Sequence, residues 1–145
     1  MFISLEMMKI KSLSKKRLIL TCKINNKDAN FLLDTGASAA LIDNNRINEY
    51  NIVKGKKYNG TIIGAGGALR GVRYCDSFID LPNDKQIAQF LLTDLSSVCE
   101  SIKRQTDVDI VGIISLPQMQ FAGITLDANS HEIILENINY DCDKK

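Results

Sequence analysis

The apolar run Phe31-Leu32-Leu33 ends abruptly on Asp34-Thr35-Gly36-Ala37-Ser38. A carboxylate at the mouth of a buried strand is costly unless backbone donors, a partner group or a proton accompany it. Thr35, Gly36 and Ser38 offer hydroxyls and unobstructed N–H groups for that purpose, which makes Asp34 the working residue. A second stretch, Ile62-Ile63-Gly64-Ala65-Gly66-Gly67, has three glycines in four positions, a backbone able to take positive φ and to approach another chain closely. It is no dinucleotide loop: G-x-G-x-x-G needs glycine at 69, where Leu69 stands, and no helical pattern follows. Gly36-Ala37-Ser38-Ala39-Ala40 comes near the G-x-S-x-G nucleophile elbow, with the single histidine, His131, as base. That chemistry belongs to β-α repeats, whereas the strands here follow one another without crossover helices and His131 falls in a turn.

Asp34-Thr35-Gly36-Ala37-Ser38 after a hydrophobic strand resembles the signature of the retropepsin-like aspartic proteases. Two further stretches match in order and spacing: residues 62–67, where that family carries its flap, and Asp109-Ile110-Val111-Gly112-Ile113, where it carries an apolar-apolar-glycine turn. The resemblance covers roughly residues 17–135. It implies an all-β fold, a closed barrel of the single-lobe acid-protease type with a flap hairpin and at most one or two short helices. It implies an aspartic endopeptidase acting as a homodimer on polypeptide substrates, with no cofactor and no metal. Asp34, Thr35 and Gly36 then form the catalytic loop, and Ala37, Ser38, Ile63, Gly64, Ala65, Gly66 and Gly67 contact substrate. Viral members of the family commonly pair a second carboxylate shortly after D-T-G-A with an arginine after the second glycine. Here those places hold Ser38 and Ile113, so the viral dimer contacts are not carried over. The alternative on the same fold is a dimeric module that binds an extended peptide by strand addition without cutting it.

At 145 residues the chain fits one domain, able to bury roughly two thirds of its unfolded surface. A net charge of +1 argues against a chain built chiefly to hold nucleic acid, and the cluster Lys9, Lys11, Lys15, Lys16 and Arg17 reads as a solvated basic arm over residues 1–16. No apolar run approaches the roughly 18 residues of a membrane span. Cys22, Cys75, Cys99 and Cys142 form no C-x-x-C pair and have no close-set histidines, so free thiols in a reducing, cytoplasmic setting are expected.

The elements that must position Asp34 follow from period and punctuation. Leu18, Leu20, Cys22 and Ile24 alternate as a half-buried strand, Asn25-Asn26 make a tight turn, and residues 29–33 return. Residues 38–45 suit a helical turn or a strand, and the resemblance favours strand. Residues 44–51 have helical spacing, and 54–57 read as an exposed connection. Residues 61–63 and 69–74 form hairpin arms around the glycines. Strands at 78–81 and 87–93 flank Pro82-Asn83-Asp84-Lys85. Residues 95–106 fit either an amphipathic helix or a loop. Residues 108–114 repeat the strand-then-glycine logic of 31–37. The domain spans 17–136, closes with a hairpin of 120–127 and 131–136, and leaves 137–145 as a polar, loose tail.

Overall fold

The hairpin that ends on Asp34 is built by β2 (Ile19–Ile24) and β3 (Lys27–Asp34), preceded by β1 (Phe2–Lys11), in a computed structural model that describes residues 2–64, 67–68 and 71–141. Asn25 and Asn26 take φ of 51° and 66°, the left-handed pair that lets a two-residue turn follow strand twist. β4 (Ala40–Asp43) leaves the Asp34 loop, followed by a 3-10 turn (Asn44–Arg46) and α1 (Ile47–Tyr50). β5 (Lys54–Lys57), β6 (Ile63–Gly64), β7 (Gly67–Ala68) and β8 (Arg73–Cys75) come next. β9 (Ile79–Asp80), β10 (Gln86–Ile87) and β11 (Phe90–Thr93) lead to α2 (Ser96–Thr106). The chain ends in β12 (Gly112–Ser115), α3 (Leu116–Ala122), β13 (Ile124–Asp127) and β14 (Glu132–Asp141).

Nine strands share one sheet in the order β10-β9-β2-β3-β12-β4-β11-β8-β5, while β1-β14-β13 and β6-β7 form smaller sheets. The unbroken apolar run of β3 is explained by burial on both faces. Phe31 and Leu33 belong to the main cluster, where Phe31 meets Phe90 at 5.6 Å between ring centroids. Leu32 faces the other way, with Ile19, Ile102, Ile110 and Ile113 under α2. Burying each such side chain contributes on the order of 1.5–3 kcal/mol. Ile19, which the alternation of Leu18, Leu20, Cys22 and Ile24 assigns to the opposite, outward face, is thus fully buried, because α2 covers the face an isolated hairpin would show to water.

β12 lies between β3, its parallel partner, and β4, antiparallel to it, so Gly112 is opposite both Phe31 and Ile42. A Cβ there would stand 2.4 Å from the Leu41 carbonyl oxygen and 2.9 Å from Phe31 Cε2. The glycine of the apolar-apolar-glycine pattern is therefore a close-approach residue, needed for three strands to meet beneath the Asp34 loop.

Several expectations are corrected. Residues 54–57 form an edge strand, with Lys54 opposite Cys75 and Lys57 opposite Arg73; the lysines that made the stretch read as solvent-exposed are what an unpaired edge carries. The strand expected over 87–93 is interrupted at Gln89, whose φ is 66°, into β10 and β11. Of residues 95–106, Ser96–Thr106 form a helix that buries Ile102, and Leu95, just before it, is buried as well. There are three short α-helices among the described residues, where one or two were expected; residues 116–122 form the additional one, started by Pro117 in its first turn and ended by Gly123 at φ 69°. The arm and tail expected to be solvated and loose pair with each other, β1 against β14 from Phe2–Asp141 to Lys11–Glu132.

Candidate active site

Asp34 is the last residue of β3 and sits opposite Ser115, the last of β12, so two parallel strands deliver it together. The chain turns at once: Ala37 N–H donates to the Asp34 carbonyl oxygen at 3.1 Å, and Gly36 N–H donates to the carboxylate Oδ1 at 2.9 Å. One carboxylate oxygen thus has its backbone donor, as a carboxylate at a strand mouth requires. Asp34 itself is half-buried, while Thr35, Gly36 and Ser38 are exposed, leaving the loop open to a ligand. A Cβ on Gly36 would lie 3.3 Å from Asp34 Oδ1, so any side chain there presses on the acid.

Several groups hold the loop from below. Leu33 N–H donates to Leu18 O at 2.9 Å, fixing the residue before the acid to the chain entering β2. On the far side Leu116 N–H donates to Ala37 O at 3.3 Å, which ties the loop to the start of α3. The fully buried Ser115 hydroxyl bonds the Gln118 side-chain oxygen, and Gln118 Nε2 donates to Gln89 O at 3.3 Å. Ser115, Leu116 and Gln118 were not singled out from the sequence. The signal was present in the repeated strand-glycine pattern, which stopped one residue short of Ser115.

A second brace is Asp43, only 4 % exposed. Its Oδ1 accepts from Asn45 N at 3.2 Å, Asn45 Nδ2 at 2.8 Å and Leu95 N at 3.1 Å, locking the end of β4 to the start of α2. Cys99 lies beside it, its sulfur 4.0 Å from Asp43 Oδ2. Burial first and the Asp43 charge second push the Cys99 thiol up to about 11, and burial pushes Cys22 up to about 12.

The glycine-rich stretch is a hairpin: Ile63 pairs with Ala68 and Gly64 with Gly67. Ala65 and Gly66, expected at its tip, lie outside the described residues, as do Leu69 and Arg70. Ile63 is 77 % exposed. The hairpin base is fixed by Tyr58, whose N–H donates to Val72 O at 2.9 Å and whose ring meets Tyr74 edge-on at 5.4 Å. Ala39, just past the Asp34 loop, and Ile62, at the foot of the hairpin, pack on the same cluster of Leu41, Val72, Leu91 and Leu95. The core therefore joins the two halves of the expected site.

Ser38 is followed by the strand β4, not by the helix a nucleophile elbow needs. Among the described residues no three His, Cys, Asp or Glu side chains gather as a metal-ligand set, and no helix is long and apolar enough to cross a membrane.

The sequence matches the aspartyl protease family over residues 20–83, the segment that carries Asp34 and the glycine-rich hairpin. Among solved structures the chain is similar to the EIAV protease complexed with the inhibitor HBY-793. The two share 25 % identity at a TM-score of 0.55, over 77 % of this chain and 92 % of that one. It is also similar to a retropepsin-like aspartic protease from Rickettsia conorii, with a TM-score of 0.57 over 94 % of this chain and 95 % of that one. Identity in that second pair is 12 %, a likeness of fold. No curated protein sequence matches the chain.

Proposed function

Because this chain belongs to the retropepsin-like aspartic protease family, we propose that it is an aspartic endopeptidase that hydrolyses peptide bonds as a homodimer, with water activated between two Asp34 carboxylates. The observation that carries the reading is Asp34 itself. It is a half-buried acid at the end of a buried strand, held by Gly36 N–H and open to solvent on its other side.

The chemistry requires two carboxylates, one as base toward water and one protonated to polarise the scissile carbonyl. The sequence holds a single D-T-G and no D-S-G, so the second acid comes from a second copy related by a two-fold axis. Two carboxylates about 4 Å apart at an effective dielectric near 20 repel by about 4 kcal/mol, so the pair keeps one proton between them. Thr35 and Gly36 hold the loop geometry, and Ala37 and Ser38 line the path of the peptide. Ile63, Gly64, Ala65, Gly66 and Gly67 act as a flap that closes over the substrate and excludes water other than the nucleophile. The free thiols of Cys22, Cys75 and Cys99 fit a reducing, cytoplasmic setting.

The test is incubation with a diverse peptide library from acidic to neutral pH, read by mass spectrometry. Reproducible internal cuts with a bell-shaped rate profile, absent in a folded Asp34→Asn protein, are the expected result. Cuts that persist in Asp34→Asn overturn the mechanism. Binding without any cut by the unaltered chain leaves the same fold as a peptide-binding module.

A further inference from the structure

Two shallow cavities flank the loop that leads into the hairpin delivering Asp34, and Lys15 and Lys16 line both. One, of about 290 Å³, is completed by Arg17, Leu33 and His131. The other, of about 460 Å³, is completed by Arg104 and by Asp107, the single acid lining either cavity, at the C-terminal end of α2. Lys15, Lys16 and Arg104 are exposed, and none of them is ion-paired among the described residues, where the ion pairs centre on Arg46.

The loop that carries these charges is pinned. Ser12 Oγ accepts from Ile19 N at 2.9 Å and from Ser14 N at 3.3 Å, and Ser14 Oγ accepts from Lys16 N at 3.0 Å. Arg17 Nη1 donates to the neutral Gln105 Oε1 at 3.1 Å, which fastens the loop to α2 without cancelling its charge. The loop that carries Lys15 and Lys16 is thus tied to the strand that delivers the acid: Leu18, next after Arg17, accepts the Leu33 N–H, and Leu33 precedes Asp34.

An extended peptide rises about 3.3 Å per residue, so a side chain three or four residues from a bond cut at Asp34 lies roughly 10–13 Å away. Lys15 and Lys16 stand on the loop just before Leu18, and a lysine stem is long enough to reach from that loop to such a side chain. We propose that Lys15, Lys16 and Arg104 form an anion-selecting rim, and that the preferred substrates carry Asp or Glu three or four residues from the scissile bond. The inference rests on the endopeptidase reading of Asp34, and the two-fold axis of that reading repeats the rim at the other end of the peptide.

The experiment has a binding arm and a cleavage arm. The Asp34→Asn protein is titrated with fluorescent peptides that differ only in Glu against Gln at those outer positions, at low and at 0.5 M salt. The unaltered chain is assayed on the same peptides for kcat/KM. The acidic peptide is expected to bind about fivefold more tightly, as two exposed ion pairs give. High salt, or K15Q/K16Q in the Asp34→Asn protein, brings the ratio near one, and in the unaltered chain kcat/KM follows the same ratio. Equal binding of the two peptides, no binding of either, or a preference unmoved by K15Q/K16Q overturns the rim. So does a single-stranded oligonucleotide that binds more tightly than the acidic peptide and loses that binding in K15Q/K16Q, which assigns the surface to nucleic acid. A selective but uncleaved acidic peptide overturns the endopeptidase reading and leaves the rim standing.

Discussion

Replacing Gly112 by alanine asks β12 to hold a methyl group where three neighbours already stand. The added Cβ would fall 2.4 Å from Leu41 O, 2.9 Å from Phe31 Cε2 and 3.2 Å from Ile42 Cα. A carbon normally approaches a carbonyl oxygen to about 3.3 Å, so β4 must recede by about 0.9 Å. The obstructing atom is backbone in a strand paired on both sides, by β12 and by β11, and cannot swing away as a side chain would. Overpacking of this kind costs about 1–3 kcal/mol, here toward the upper end. Alanine returns roughly 0.5–1 kcal/mol by restricting the unfolded chain. The net loss is about 2 kcal/mol, a fall in Tm of roughly 4–8 °C for a chain of this size. Urea unfolding in the Asp34→Asn background, where self-digestion cannot intrude, should show a midpoint lower by about 1 M. Gly36→Ala is the contrast: its Cβ meets only Asp34 Oδ1 at 3.3 Å, so stability should stay within about 0.5 kcal/mol while cleavage falls. A Gly112→Ala protein within 0.5 kcal/mol of the parent on the same scale would refute the close-approach argument.

Asp43→Ala removes the acceptor of the buried Leu95 N–H and should cost about 2–3 kcal/mol in the same unfolding assay, with Asp43→Asn recovering much of it. The Cys22 thiol is raised from 9.0 to about 12 on folding, so its contribution is intact below pH 9 and is lost as pH rises from 9 toward 12, where the unfolded chain alone releases the proton. Stability should fall by about 1.4 kcal/mol per pH unit in that window, and by visibly less in Cys22→Ala; equal slopes would contradict it. Specific activity of the unaltered chain should decline on dilution as the proposed dimer dissociates, and sedimentation at the same concentrations should show monomer. Full activity from a demonstrated monomer would remove the shared-proton mechanism.

What the sequence disclosed was local. The Asn25-Asn26 turn, the strand ending on Asp34 and the glycine-rich hairpin rest on turn chemistry and period, which neighbours in sequence determine. Gly112 was visible as a pattern, but its reason is two strands that approach it from far along the chain. The amphipathic spacing of residues 95–106 left helix and loop open because the deciding surface, formed by Ile19, Leu32 and Ile113, comes from other elements. The Asp43 brace and the Ser115–Gln118 link were missed for the same reason: an acid or serine at a strand end reads as solvated until a distant N–H or amide is brought to it. The lysines of β1 and β5 misled in the opposite direction, since charge on an edge strand looks like loop.

The pairing of β1 with β14 sets an order of events during synthesis. Of the described strands β1 is made first, and its partner is made more than a hundred residues later. The β2–β3 hairpin and the sheet around β12 can close while the apolar positions Phe2, Ile3, Leu5, Met7, Met8 and Ile10 still lack their strand. For that interval the nascent chain trails an unpaired strand of high β-propensity, the kind of segment that nucleates association between chains. Glu6, Lys9 and Lys11, spaced through it, are charges of the kind that disfavours such association.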